Sequence, residues 1–200
     1  MIIDGASKIG KSYLMSQLSQ LQRRYRNTVF IHPQLKSEEI TQLPIVEVQQ
    51  RLIDMYHKIT RDYYSRFESV VVYRSIVGVY YYTKYVFRLS KTEYDYDKVL
   101  DTISLLQKHN PTVLFLKFAN KSSAYNMYQY LKSRVPYKDI FFKTVTQFVD
   151  ENLDIQDNLE KMYKKFGFNV ISVDTHITED VEKDLQERNT TIMKQLLVLT

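Results

Sequence analysis

Apolar residues in this chain fall into two patterns, short unbroken runs and longer stripes at helical spacing. The runs are Met1-Ile2-Ile3, Thr28-Val29-Phe30-Ile31, Val70-Val71-Val72, Val113-Leu114-Phe115-Leu116 and Asn169-Val170-Ile171-Ser172-Val173. Continuous runs rich in branched side chains predict strands buried on both faces. Between them, Leu14, Leu18, Leu21 and Tyr25 share one face of a helix over 11–26. Val48, Leu52, Met55, Ile59, Tyr63 and Phe67 do the same over 47–67. Further helices are expected over 76–87, 96–109, 122–134, 138–166 and 177–187. Pro33 and Pro136 act as breaks and Gly167 as a C-cap. Residues 191–200 fit helix and strand alike. Strands alternating with helices predict an α/β fold, a five-stranded parallel sheet with helices on both faces. Ligands of such sheets bind at the carboxyl ends of the strands.

Composition narrows the class. With 200 residues, 44% apolar and 26% charged, the chain suits a single globular domain over 1–200. It has no apolar run of about 18 residues, so no membrane-spanning helix is expected. The N-terminus lacks the basic start and apolar core of a signal peptide. The absence of cysteine excludes disulfides, thiolate chemistry and Cys-based zinc sites, and permits a reducing compartment. A net charge of +5 favours anionic partners mildly, a nucleotide as well as a nucleic acid. The seventeen tyrosines are as readily explained by A/T-rich coding as by function. Only Gly5, Gly10, Gly78 and Gly167 are glycine, so their positions carry weight.

Two of those glycines belong to Gly5-Ala6-Ser7-Lys8-Ile9-Gly10-Lys11-Ser12, which satisfies G-x-x-x-x-G-K-[ST]. Such a loop curls its N–H groups around phosphate oxygens, and the following helix adds its positive end. Lys11 would reach the β- and γ-phosphates, and Ser12 would give its hydroxyl to Mg²⁺. The motif follows an apolar strand and opens an amphipathic helix, the context it requires. A nucleoside triphosphate with Mg²⁺ is therefore expected. No N-K-x-D guanine motif is present, and no apolar strand ends in a pair of acids. That leaves the small kinases that phosphorylate a bound acceptor.

From here the sequence resembles the thymidylate kinases of eukaryotic and poxviral type, within the P-loop nucleotide and deoxynucleoside kinases. Their loop reads G-x-D-[RK]-x-G-K-[ST], with Lys8 standing at the basic position and Asp4 at the acid before the loop. Their Phe-Pro segment, followed by an acceptor-phosphate Arg, is here His32-Pro33-Gln34-Leu35-Lys36. Gln50-Arg51-Leu52 stands near the place of an Asn-Arg-Trp at the acceptor base. Their Asp-Arg-Tyr after the third strand, with the Ser-Gly-Val-Ala-aromatic stretch beyond it, is similar to Tyr73-Arg74-Ser75 and Val77-Gly78-Val79-Tyr80-Tyr81. Arg74-Ser75 also resembles the Glu-Arg-Ser of deoxynucleoside kinases. Arg134 to Lys143 occupies the place of a lid over ATP, approximately 132–146.

The resemblance implies a P-loop three-layer fold with a small lid, and transfer of phosphate from ATP to a deoxynucleoside monophosphate, thymidylate first. It implies Lys8, Lys11 and Arg74 as catalytic cations and Arg134 closing on ATP. His32, Lys36, Gln50, Arg51, Arg74, Gly78 and Tyr81 would hold the acceptor, and Ser12 and Asp4 the metal. A homodimer in the cytoplasm, and a viral protein among the alternatives, belong to the same expectation, with no membrane partner. Several residues retain ordinary readings: Lys8 a solvated loop lysine, Asp4 a cap for the tight turn, Arg51 and Gln50 a polar helix face, Tyr81 helix packing. Three departures stand out: Tyr73 for the strand-end Asp, Ser7 for the loop Asp and Leu35 for the acceptor Arg. A phenol is neutral at pH 7 and does not replace a carboxylate. They open two alternatives. One is a kinase with a hydroxyl acceptor, a deoxynucleoside or a modified base in DNA, for which His32 would be the base. The other is a nucleotide-binding scaffold without turnover.

Overall fold

The computed structural model describes residues 1–20, 28–33, 35, 40, 42–134 and 144–198. Five strands lie where the apolar runs stand: β1 (Ile2–Gly5), β2 (Thr28–Ile31), β3 (Ser69–Tyr73), β4 (Val113–Phe118) and β5 (Val170–Thr175). They form one parallel sheet in the order β2-β3-β1-β4-β5. The helices are α1 (Lys11–Gln20), α2 (Ile45–Tyr63), α3 (Ile76–Tyr81), α4 (Tyr96–Lys108), α5 (Lys121–Arg134), α6 (Val145–Lys165) and α7 (Val181–Val198).

The sheet divides the apolar residues into two cores by the alternation of strand side chains. Ile2, Val70, Val72, Val113 and Phe115 face a core completed by Ile53 of α2, Val77 of α3, Ile103 of α4 and Leu159 of α6. Ile3, Val71, Leu114 and Leu116 face the other, with Leu14 of α1, Met127 of α5 and Leu185 of α7. The helix after β1 thus covers one face and those after β3 the other. This alternation places a crevice at the carboxyl end of the central strand β1. Helix α6 serves both cores: Phe148 and Val149 belong with α1 and α5, while Ile155, Leu159 and Tyr163 belong with α2 and α3.

Three elements differ from the pattern-based expectation. The helix over 76–87 widens into a π-turn at Tyr82–Val86, where Phe87 N donates to Tyr82 O at 2.8 Å. The hydroxyl of the fully buried Thr83 lies 2.8 Å from Val79 O and 2.9 Å from Gln49 Oε1, competing for a helix carbonyl. The last helix begins at Val181 rather than 177, because Thr178 N and Oγ1 both donate to Asp184 Oδ2 and Lys183 N is capped by Asp180. It then runs on through the segment whose pattern was ambiguous. The helix expected from 138 is described from Val145. Gly167 does close α6, with φ +76° and its N–H on Lys164 O at 2.9 Å.

Candidate active site

The Gly5–Ser12 loop leaves the carboxyl end of β1 and enters α1 directly. Gly5 has φ +134°, and a Cβ there would stand 1.8 Å from Leu116 O. No other residue allows β1 and β4 to approach so closely at this turn. Ala6 N donates to the same carbonyl at 2.9 Å. Lys8 takes φ +60° and Gly10 φ +82°, so the chain reverses twice and its amides converge. Lys8 and Ser12 are exposed on the loop and the first turn of α1.

Lys11 is buried, its ammonium on Gly5 O at 2.9 Å and on Ala6 O. Burial lowers its pKa to about 7; the cations Arg74, Arg188 and Lys8 add to this, against Asp4 alone. Four cations and one carboxylate make a site short of negative charge, which a polyphosphate would supply.

Asp4 is itself committed. Its Oδ1 accepts Gly5 N at 2.9 Å and its Oδ2 accepts Tyr163 Oη at 2.6 Å. Tyr163 Oη lies 2.6 Å from Ser75 Oγ, which in turn accepts Val77 N at 3.1 Å and caps α3. Gly78 belongs to the same arrangement: a Cβ there would stand 2.9 Å from Asp4 Oδ2. Burial pushes the Tyr163 phenol well up, so it remains a donor. No cluster of three or more metal-ligating side chains exists among the described residues. Ser12 with its exposed hydroxyl fits a Mg²⁺ carried mainly by phosphates rather than caged by protein.

Beside the loop, at the ends of β2 and β3, stand His32, Tyr73 and Arg74. Arg74 has φ +62° and donates its N–H to Ile3 O at 2.8 Å, extending the β1–β3 pairing. Its guanidinium lies 5.5 Å from the Tyr73 ring centre. Burial works against that charge, yet Tyr73, Tyr82, Asp4 and Tyr56 outweigh it and hold the pKa above the ordinary value. His32 meets Tyr73 edge-on, ring centres 4.2 Å apart. Partial burial and Arg74 lower its pKa, so its imidazole is neutral at pH 7. Tyr56 Oη donates to Tyr73 O at 2.9 Å, and burial raises that phenol. A small cavity of about 10 Å³ behind this wall is lined by Ile2, Tyr56, Thr60, Tyr64 and Arg74.

The other expected residues are engaged elsewhere. Gln50 donates to Asp54 at 3.1 Å and accepts Asp95 N at 2.9 Å at the start of α4. Arg51 pairs with Glu47 at 2.8 Å on α2. Tyr81 is buried, its ring against Tyr82 and Tyr85. Arg134 pairs with Glu182 of α7 at 2.6 Å and lies 4.9 Å from the Tyr130 ring centre. Lys36 and residues 135–143 of the expected lid lie outside the described residues.

Sequence reasoning missed Tyr163 and Arg188. Arg188 of α7 donates to Ile9 O at 2.7 Å, Gly10 O at 3.4 Å and Thr175 Oγ1 at 3.3 Å, as well as to Asn189 Oδ1. A signal was present: Arg188 follows Leu185 by three residues and precedes Ile192 by four, a charge on the buried stripe of a helix.

No protein-family model matches the chain, and no curated protein matches it. Solved structures do. Deoxyadenosine kinase from M. mycoides with the products dCMP and a flexible dCDP bound matches at 14% identity and TM-score 0.55, covering 100% of both chains. The same enzyme with dCTP matches at 15% and 0.58, over 99% of this chain and 100% of that one. With dATP it matches at 15% and 0.56, over 98% and 99%. The chain has the fold of a P-loop deoxynucleoside kinase. At this identity the likeness establishes the fold, and thymidylate kinases are not singled out by it. Among the described residues, no helix is long and apolar enough to cross a membrane.

Proposed function

We propose that this chain is a kinase that transfers the γ-phosphoryl group of ATP, taken with Mg²⁺, to the 5′-hydroxyl of a deoxynucleoside. The observation that carries the donor half is the cation set around Lys11, opposed by Asp4 alone. The acceptor half rests on the neutral His32 beside Tyr73 and Arg74, and the deoxyadenosine kinases of the same fold support it. A hydroxyl acceptor must lose a proton, and a neutral imidazole takes one at pH 7.

In this reading the loop amides and Lys11 hold the β- and γ-phosphates. Lys11 exchanges Gly5 O and Ala6 O for phosphate oxygens, and Lys8 and Arg74 spread charge on the transferring group. Ser12 would be the residue of the chain that holds Mg²⁺, which when bound would neutralise part of the phosphate charge. His32 accepts the hydroxyl proton as the acceptor oxygen bonds to Pγ and the bond from Pγ to the ADP oxygen breaks. Tyr163 and Gly5 N keep Asp4 fixed under the loop.

A second reading keeps thymidylate as acceptor. It is favoured by Arg74, which has no ion pair within 4.0 Å among the described residues and could clamp a phosphate. The test is ADP release with MgATP against deoxynucleosides, their monophosphates and DNA, using wild type and His32→Asn. Turnover with a deoxynucleoside that falls about 10²-fold or more in His32→Asn supports the hydroxyl acceptor. Turnover only with thymidylate, unchanged by His32→Asn, replaces it with the second reading. ATP binding without any turnover indicates a scaffold and overturns both.

A further inference from the structure

The buried guanidinium of Arg188 has no carboxylate partner among the described residues. Its donors go instead to backbone carbonyls of the phosphate loop, to Thr175 at the end of β5 and to Asn189. Asn189, fully buried, passes the link on through Nδ2 to Gln17 Oε1 of α1 at 2.7 Å. Burial lowers the Arg188 pKa to about 10, which leaves it charged at pH 7. A buried cation without a counter-ion is costly, and its retention calls for a reason.

The reason lies in peptide geometry. In a planar trans peptide the C=O and the next residue's N–H point in opposite directions. Arg188 Nη1 holds Ile9 O at 2.7 Å, so Gly10 N–H faces away from α7 and into the loop. Gly10 O is held by Arg188 Nη2 at 3.4 Å and Leu14 N at 3.1 Å, so Lys11 N–H faces the same way. Gly10 is part of this fit: a Cβ there would meet Arg188 Nη2 at 3.3 Å and Leu185 Cδ2 at 3.1 Å.

We propose that Arg188 is a positioning residue of the phosphate loop, aiming the Gly10 and Lys11 amides at a bound polyphosphate by gripping the two carbonyls behind them. It touches no phosphate itself. Its charge also raises the potential of the loop from below. The inference rests on the polyphosphate-binding half of the proposed function and is independent of the acceptor.

The test uses the full chain with Arg188→Met, which keeps the length and removes the donors, and Arg188→Lys, which keeps the charge and loses the fork. Val181→Ala, a buried position of the same helix, serves as a control that loosens α7 without touching the loop. Binding of MgATP and of inorganic tripolyphosphate is measured by calorimetry, and the amide resonances of Gly10 and Lys11 are followed by NMR. Expected are a 10- to 100-fold weaker affinity for both ligands in Arg188→Met, a smaller loss in Arg188→Lys, and shifts of the two amides in Arg188→Lys before ligand is added. Val181→Ala should bind within about twofold of wild type. If Arg188→Met does not fold, Arg188→Lys decides alone. Wild-type binding with unchanged affinity and amides in Arg188→Lys overturns the inference and leaves the kinase reading standing. An equal loss in Val181→Ala also overturns it, since loosening α7 is then sufficient. If wild type binds neither ligand, the kinase reading falls and takes the inference with it.

Discussion

The two halves of the candidate site are made differently. The donor half is one continuous stretch, Gly5 to Ser12, whose shape follows from two glycines in left-handed conformations and from carbonyls held behind it. Its function is a matter of charge: Lys8, Lys11, Arg74 and Arg188 against Asp4. The acceptor half is assembled from α2, β2, β3 and the turn after α3, and aromatic rings line it: Tyr56, Tyr73, Tyr82 and His32. Full charges are few there among the described residues, and phenol side chains surround the guanidinium of Arg74. Phosphate binding needs fixed amides and cations, which a short motif can encode. Acceptor recognition needs shape, which distant segments supply together.

Substitutions can break this comparison. Lys11→Ala should lower phosphoryl transfer about 10³-fold or more, read by ADP release, while unfolding by urea shows little loss, because a buried ammonium is removed. Activity that survives would end the donor assignment. Tyr163→Phe should cost about 2–3 kcal/mol in urea unfolding, since Asp4 Oδ2 loses its 2.6 Å donor inside the protein. A loss under about 0.5 kcal/mol would show that Asp4 is not held as described.

The charge account predicts a proton linkage. Unliganded Lys11 has a pKa near 7, against 10.5 ordinarily. Between those values the unfolded chain binds more protons than the folded one, so this group makes the unliganded fold more stable as pH rises through that window. A bound polyphosphate restores the charge. ATP binding should therefore take up close to one proton at about pH 8.5 and little at about pH 6, with affinity falling as pH rises above 7. Calorimetry in buffers of different ionisation enthalpy measures this, and Lys11→Met should abolish it. The smallest effect belongs to Tyr73→Phe. The ring faces toward His32 and Arg74 remain, so the acceptor KM should change by less than about threefold. A tenfold change would make the phenol hydroxyl part of the chemistry.

The same contrast explains what could be read from the sequence. The strands were legible because continuous apolar runs have few other uses, and the phosphate loop because its glycines, Lys11 and Ser12 are contiguous. Strand order was not, since runs such as Val70-Val71-Val72 and Val113-Leu114-Phe115 carry no pairing preference. The π-turn depends on Thr83 meeting a helix remote in sequence. On the acceptor side Arg74 stood out by its place after β3, whereas Gln50 and Arg51 turned out to bond along α2 and to α4. Tyr163 lies 159 residues from Asp4, beyond any local pattern.

The grip of Arg188 on the loop also bears on biosynthesis. Ile9 and Arg188 are 179 residues apart, so at ~5–20 residues per second the ribosome adds the second roughly 10–35 s after the first. In the first part of that interval β1 waits for β3 and β4, and until its end the nascent loop has its sequence but not its brace. The chain acquires a finished phosphate site only after Arg188 has been added, which makes nucleotide capture a post-assembly event rather than a guide to folding.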